Sequence, residues 1–191
     1  METGDEMIEY RIGKPEDLDE ICIFVHAAIV HMEALGIHQW DELYPTREDF
    51  ADDISKEQLH IGIVDGVIAV IYVVNQACDE GYENGNWEYP NDRYCIIHRL
   101  CVNPAFQHQG IARRTIEHAE KQIVDNGFQS VRLDAFSENP WALKLYHGLG
   151  YKKVGHVDWR KGRFYLMEKH LVDADIDQFC SGSTLIQKEL R

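Results

Sequence analysis

Apolar residues recur three and four apart at Leu18, Ile21, Cys22, Val25, Ala28, Ile29 and Met32, the spacing that lays one stripe along a helix. Pro15, Glu16 and Asp17 precede the stripe and Gly36 follows it, so both ends carry helix start and stop residues. The following segment, GIHQWDELYPTREDFADDI, is aromatic and acidic with one proline, and no element is assigned to it. Leu59 to Val64 and Val67 to Val74 flank the dipeptide Asp65-Gly66, which predicts two strands joined by a tight hairpin. Residues 75–93 hold Gly81, Gly85 and Pro90 among polar side chains and read as a long loop, a kind that is usually functional or mobile. From Tyr94 onward strands alternate with helices. The apolar YCIIHRLCV is stopped by Asn103-Pro104. Ala112, Ile116, Ala119 and Ile123 mark a helix ended by Asn126-Gly127. SVRLDAF reads as a strand, Pro140 to Leu149 as a short helix closed by Gly150, and Tyr151 to Asp158 with Arg163 to Lys169 as a final strand pair. The order is mixed α/β. Strands separated by helices are expected parallel through right-handed crossovers, and the hairpins antiparallel.

Length and charge narrow the function classes. The chain has 191 residues, 45% hydrophobic and 27% charged, which suits one soluble domain, with residues 171–191 as an acidic tail, helical or disordered. Thirty-three acidic against nineteen basic residues give a formal charge of −14, a field that repels nucleic acid and anionic membranes and tolerates cationic substrates. The apolar run Val67 to Val74 is too short to span a bilayer, and the acidic opening METGDEMIEY is unlike a basic leader, so a cytoplasmic location is expected. Five cysteines without a C-x-x-C pair suggest reduced thiols rather than a disulfide framework or zinc ribbon. Asp173, Asp175 and Asp177 open like a calcium loop, but Gln178 and Thr184 stand where Gly and Glu are required. No metal is expected.

The chemically informative stretch is Gln107-His108-Gln109-Gly110-Ile111-Ala112, between a strand and a strongly periodic helix. Gly110 and the small Ala112 let backbone approach a ligand where first-turn N–H groups lack intrahelical partners, and an anion suits that position. By spacing alone a plain strand-to-helix turn fits equally. No G-x-x-x-x-G-K-[ST] exists, and Gly148-Leu149-Gly150-Tyr151-Lys152-Lys153 lacks the third glycine of a dinucleotide fingerprint.

Two motifs carry a resemblance. IIHRLCVNPAFQHQGIARRTIEHAEK is similar to the central motif of the GCN5-related N-acetyltransferase (GNAT) family, Q/R-x-x-G-x-G/A, through Gln107, Gly110 and Ala112. ENPWALKLYHGLGYKKVG resembles the family's second motif, N-x-x-A-x-x-L-Y followed by G-F or G-Y, through Asn139, Ala142, Leu145, Tyr146, Gly150 and Tyr151. HQWDELYPT also resembles a bacterial subgroup in which it helps to wall the acceptor pocket. The resemblance covers roughly residues 7 to 170. It implies a mixed, mostly antiparallel sheet splayed between the fourth and fifth strands, with acetyl-coenzyme A in the opening.

It further implies that the pantetheine arm pairs with backbone at Leu100, Cys101 and Val102, and that the pyrophosphate sits on amides from Gln107, His108, Gln109, Gly110, Ile111 and Ala112. Arg113 would assist with charge and Asn139 would bond the arm. Tyr146 matches the residue that protonates the departing thiolate. Many members carry a base Glu where this chain has Ile96; His98 lies on the same face and some members have His there, with Asp134 in reserve. Core packing for Tyr146 and a strand-buried histidine for His98 are the plain alternatives. Cys101 is expected on the opposite face from His98 unless a bulge intervenes. Trp40, Asp41, Tyr44 and Asp134 would contact the acceptor. The reading is therefore an acetyl-coenzyme A dependent N-acetyltransferase acting on a primary amine of a small molecule or peptide, compatible with a homodimer. A non-catalytic acyl-coenzyme A sensor on the same fold is the alternative.

Overall fold

The computed structural model describes residues 7–171. The predicted tail and the incomplete calcium-type spacing therefore lie outside the described residues, save Leu171. The predicted first helix is α1, Leu18–Ala34, entered through a 3-10 turn at Pro15–Asp17. The predicted hairpin is β2, Leu59–Val64, and β3, Val67–Asn75, with Asp65 and Gly66 both at positive φ, as a tight turn with matching twist requires. Then come β4, Tyr94–Val102; α3, Ile111–Asp125; β5, Ser130–Phe136; α4, Pro140–Gly148; β6, Lys152–Trp159; and β7, Gly162–His170. Two elements were not foreseen. One is β1, Glu9–Ile12, a four-residue edge strand too short to show a period. The other is α2, Arg47–Ser55, inside the segment left unassigned, where Thr46 caps the helix by accepting from the Asp49 amide and Asp49 accepts in turn from the Thr46 amide.

The strands form one seven-stranded sheet in the order β1-β2-β3-β4-β5-β7-β6. Among the described residues only β4 and β5, joined by α3, pair in parallel. Strand β7 slots antiparallel between β5 and β6, so the crossover through α4 ends two strand positions from its start, skipping the place that β7 fills. Ile71 and Val73 face α1 and α2 through Phe24, Val25 and Phe50, whereas Tyr72 between them faces Ile116 and Ala119 of α3. The two-residue alternation of a strand thus gives the sheet two buried faces.

Pairing between β4 and β5 stops after Tyr94↔Ser130, Cys95↔Val131 and Ile96↔Arg132. Beyond Ile96 the strands part. The closed end of this fork is pinned by the buried Arg132, whose guanidinium lies 3.8 Å and 4.2 Å from the ring centroids of Tyr94 and Trp87 and donates to Glu168 at 3.2 Å. Glu168 also accepts from the amides of Glu88 and Tyr89 at 2.7 and 3.3 Å, fastening the long 76–93 connection to β7. A second irregularity shapes the open arm of β4. Ile71 pairs with Cys101 but Val73 pairs with His98, so β4 carries one extra residue there, and Arg99 takes φ 51°. The bulge overturns the expected facing: His98 and Cys101 share one face, because their β3 partners do. Arg99 is turned toward α2, where it bonds Asp53 at 2.8 and 3.1 Å.

Removing one partner of a buried, hydrogen-bonded ion pair strands the other, which typically costs about 3–5 kcal/mol. Glu168→Ala should lose stability on that scale in urea denaturation while Lys152→Ala, removing an exposed pair with Glu88, should change it by less than about 1 kcal/mol. Equal, small losses would show that the fork does not rest on Arg132 and Glu168.

Candidate active site

The parting of β4 and β5 opens a cleft of about 890 Å3 that passes from the α3 and α4 face to the α1 face. Its first half is backbone. The open arm of β4 from Ile97 to Val102 has no strand partner on its β5 side among the described residues. Next to it, His108 and Gly110 both take positive φ, 63° and 74°, ahead of α3. The first backbone bond closing α3 runs from the Arg114 amide to the Gly110 carbonyl at 3.1 Å, leaving the amides of Ile111, Ala112 and Arg113 without intrahelical acceptors. A Cβ on Gly110 would meet no atom within 4 Å, so the space before these amides is open. Alternating left- and right-handed residues at a helix N-terminus form a concavity of N–H groups suited to phosphate oxygens. Of the residues expected on the coenzyme side, all but Gln109 line the cleft; Gln109 turns back to the Ala105 carbonyl at 3.4 Å. Arg113 lines it while donating to the Gly148 carbonyl at 3.2 Å and to Glu117 at 3.4 Å, a tie between α3 and α4. Asn139 caps α4 by accepting from the Ala142 amide at 3.0 Å and donates to Gln39 at 2.8 Å.

The second half is side chains. On β5, Val131, Leu133 and Ala135 face α3, so Asp134 points through the fork to the other side. Burial raises the Asp134 carboxyl to about 6, although the Tyr82 hydroxyl donates to it at 3.0 Å. His98 is buried, with Nε2 3.1 Å from Asn75 Oδ1 and Nδ1 3.6 Å from Asp79, and burial lowers its pKa. The donor atoms of Asp79, His98 and Asp134 all lie within 4.8 Å of one another, close enough to share a cation. Trp40 and Tyr44, two of the residues expected at the acceptor, line this half. Asp41 does not. Its carboxylate is bonded by Arg160 at 2.8 Å twice and by Lys161 at 3.2 Å, which hold it far below the usual carboxylate range. Asp79 and Tyr82 were missed among the candidates; both come from the 76–93 connection, whose length was the signal available.

Tyr146 stands between the halves. It projects from α4, packs edge-on against Tyr151 with ring centroids 5.8 Å apart, and lines the cleft. Its hydroxyl bonds no group among the described residues, and burial raises its pKa well above that of a free phenol, so it is a protonated donor at neutral pH. Cys101, now on the face of His98, is buried and its thiol is raised to about 12 by that burial, which leaves no thiolate for covalent catalysis.

The model of the acetyltransferase (GNAT) family matches residues 32–151, more than half of the chain and the whole of the fork with its α3 and α4 motifs. The chain belongs to this family. A GNAT acetyltransferase structure from Streptococcus agalactiae is 27% identical, with a TM-score of 0.76 over 85% of this chain and 95% of that one. A structure described as a putative acetyltransferase from Staphylococcus aureus is 28% identical, with a TM-score of 0.67 over 85% and 99%. PaiA N-acetyltransferase from Thermoplasma acidophilum in complex with coenzyme A, 18% identical, shares the fold with a TM-score of 0.64 over 86% and 99%. Comparison with curated protein sequences gave no match. As a GNAT member the protein is an N-acetyltransferase, an acyltransferase that uses acetyl-coenzyme A, and no helix among the described residues is long and apolar enough to cross a membrane.

Asp134 gives a pH test with a definite sign. Its pKa rises from 3.8 to about 6 on folding, so ionising it penalises the folded state; the penalty is absent below about pH 4 and full above about pH 6. Asp134→Asn keeps an acceptor for Tyr82 and removes the ionisation. Urea denaturation should find the variant more stable than wild type at pH 7.5, on the order of 2–3 kcal/mol, with the difference fading by pH 4. A difference independent of pH would place Asp134 in an ordinary solvated setting.

Proposed function

We propose that this GNAT acetyltransferase moves the acetyl group to the primary amine of a cationic small molecule or peptide by direct attack within a ternary complex. The observation that carries the reading is the division of the cleft. An unpaired strand edge and orphan helix amides lie on one side, and Asp79, His98 and Asp134, with no Lys or Arg ion pair among the described residues, lie on the other. The coenzyme would add its pantetheine arm along β4 at Leu100 to Val102, where main-chain groups supply the contacts and the side chains stay apolar. Its pyrophosphate would take the amides of Gly110 to Ala112, and Asn139, now shared with Gln39, would bond the arm. An acceptor ammonium would enter between Trp40 and Tyr44 and meet the carboxylates. The net acidity of the chain favours its approach.

The amine must lose a proton before it attacks. His98, whose burial favours the neutral imidazole, and Asp134, raised to about 6, are the two groups placed to accept it. The amine nitrogen then bonds the thioester carbon, a backbone N–H of the β4 arm stabilises the oxyanion, the carbon–sulfur bond breaks, and the Tyr146 hydroxyl protonates the sulfur. The departing thiolate is desolvated in the same cleft, so its proton affinity rises together with that of the phenol.

A screen of amines, diamines and amino-terminal peptides, following free thiol released from acetyl-coenzyme A, tests the substrate class. Cationic primary amines should turn over; coenzyme binding without turnover of any amine would instead support a sensor. With the best acceptor, Tyr146→Phe should leave coenzyme affinity unchanged and lower the single-turnover rate by about 100-fold or more. Equal single-turnover rates would reduce Tyr146 to a packing residue.

A further inference from the structure

Asn75, the last residue of β3, has the orientation of its carboxamide fixed from two sides. The Ala77 amide donates to its Oδ1 at 2.9 Å, and its Nδ2 donates to Gln58 Oε1 at 3.0 Å. A backbone N–H can only donate, so the atom turned toward His98 is an oxygen, 3.1 Å from Nε2. An acceptor at that distance is satisfied when the proton of the neutral imidazole sits on Nε2, and the Ala77 carbonyl, a second acceptor at this ring, raises the proton affinity of the imidazole. Nδ1 is then left with its lone pair, 3.6 Å from an Asp79 oxygen that also carries lone pairs. Two acceptors face each other there with no hydrogen between them, an arrangement that a proton arriving on Nδ1 converts into attraction.

We infer that Asn75 is a positioning residue that holds His98 as its Nε2–H tautomer, making Nδ1 the atom that takes the proton and Asp79 the group that passes it to solvent. This rests on the reading of His98 as a base. In the step, the acceptor ammonium loses one proton to Nδ1, directly or through one water; the imidazolium so formed donates Nε2–H to Asn75 and Nδ1–H to Asp79. Asp79, 56% exposed by its side chain, then exchanges that proton with bulk water and His98 returns to the neutral form. The charged groups facing His98 are Asp79 from the 76–93 connection, Arg99 beside it on β4, and Asp134 from β5. Arg99 is engaged by Asp53, so the local balance favours a cation on the imidazole once the amine has delivered it.

The test reads tautomer and chemistry separately. In the wild-type protein, 15N resonances of His98 above its pKa should show a protonated Nε2 and an unprotonated Nδ1. Asn75→Asp preserves an acceptor toward Nε2 and adds negative charge, so the tautomer should persist and the acid limb of the kcat/KM profile should move to higher pH. Asn75→Leu removes the acceptor, so Nδ1–H should become populated and kcat/KM should fall by about tenfold or more, part of the 100-fold or greater contribution of a positioned base. A wild-type spectrum with the proton on Nδ1 overturns the inference whatever the variants do. The inference is equally overturned if Asn75→Leu leaves both the tautomer and the profile unchanged. A changed tautomer with an unchanged profile in Asn75→Leu overturns the proton route by removing His98 as the base, while the acceptor screen and the Tyr146 comparison still stand. If Asn75→Leu fails to fold, the wild-type spectrum and the Asn75→Asp profile decide between these outcomes.

Discussion

A parallel pair of strands that stays paired for only three residues creates nearly everything this protein does. Past Ile96 and Arg132, β4 and β5 each retain a partner on the outer side, β3 and β7, but lose each other. Backbone N–H and C=O groups on the exposed inner edge of β4 then need another source of hydrogen bonds, and an extended ligand with its own amides is the natural one. The same divergence connects the two faces of the sheet, so the space against α3 on one side is continuous with the space beside Asp134 and His98 on the other. Arg132 and Glu168 close the fork at one end, and the bulge at Arg99 turns that side chain toward Asp53 on α2.

The charges divide in the same way. On the coenzyme side, positive potential comes largely from unsatisfied amides at the start of α3, with Arg113 partly committed to Gly148 and Glu117. On the His98 side, Asp41 is neutralised by Arg160 and Lys161, while among the described residues Asp79 pairs with His98 and Asp134 accepts from the Tyr82 hydroxyl.

Elements with a strong period or a marked end were legible in the sequence. The α3 and β5 pattern, the Asp65-Gly66 hairpin and the Gly110 turn all depend on local rules that act over a few residues. What escaped depends on distant partners. A four-residue edge strand has no period of its own, and the β4 bulge exists only relative to the register of β3, so the relation of His98 to Cys101 was not fixed by their spacing. The candidate site divides along the same line. Gly110, Asn139 and Tyr146 sit in short motifs, whereas Asp41 is engaged by the β6–β7 turn some 120 positions away, Asp79 reaches the cleft from a loop without a recognisable pattern, and Tyr82 of that loop bonds Asp134 from behind.

Amide hydrogen exchange with and without saturating coenzyme A measures the central relation between the fork and its ligand most directly. If the coenzyme completes the unpaired edge, exchange should slow in residues 97–102 and 108–113 together, and stay unchanged in the outer strands β1 and β2, which are already paired. Protection confined to 108–113 would reduce the site to a phosphate cradle and contradict the account of β4 as the strand that receives the pantetheine arm.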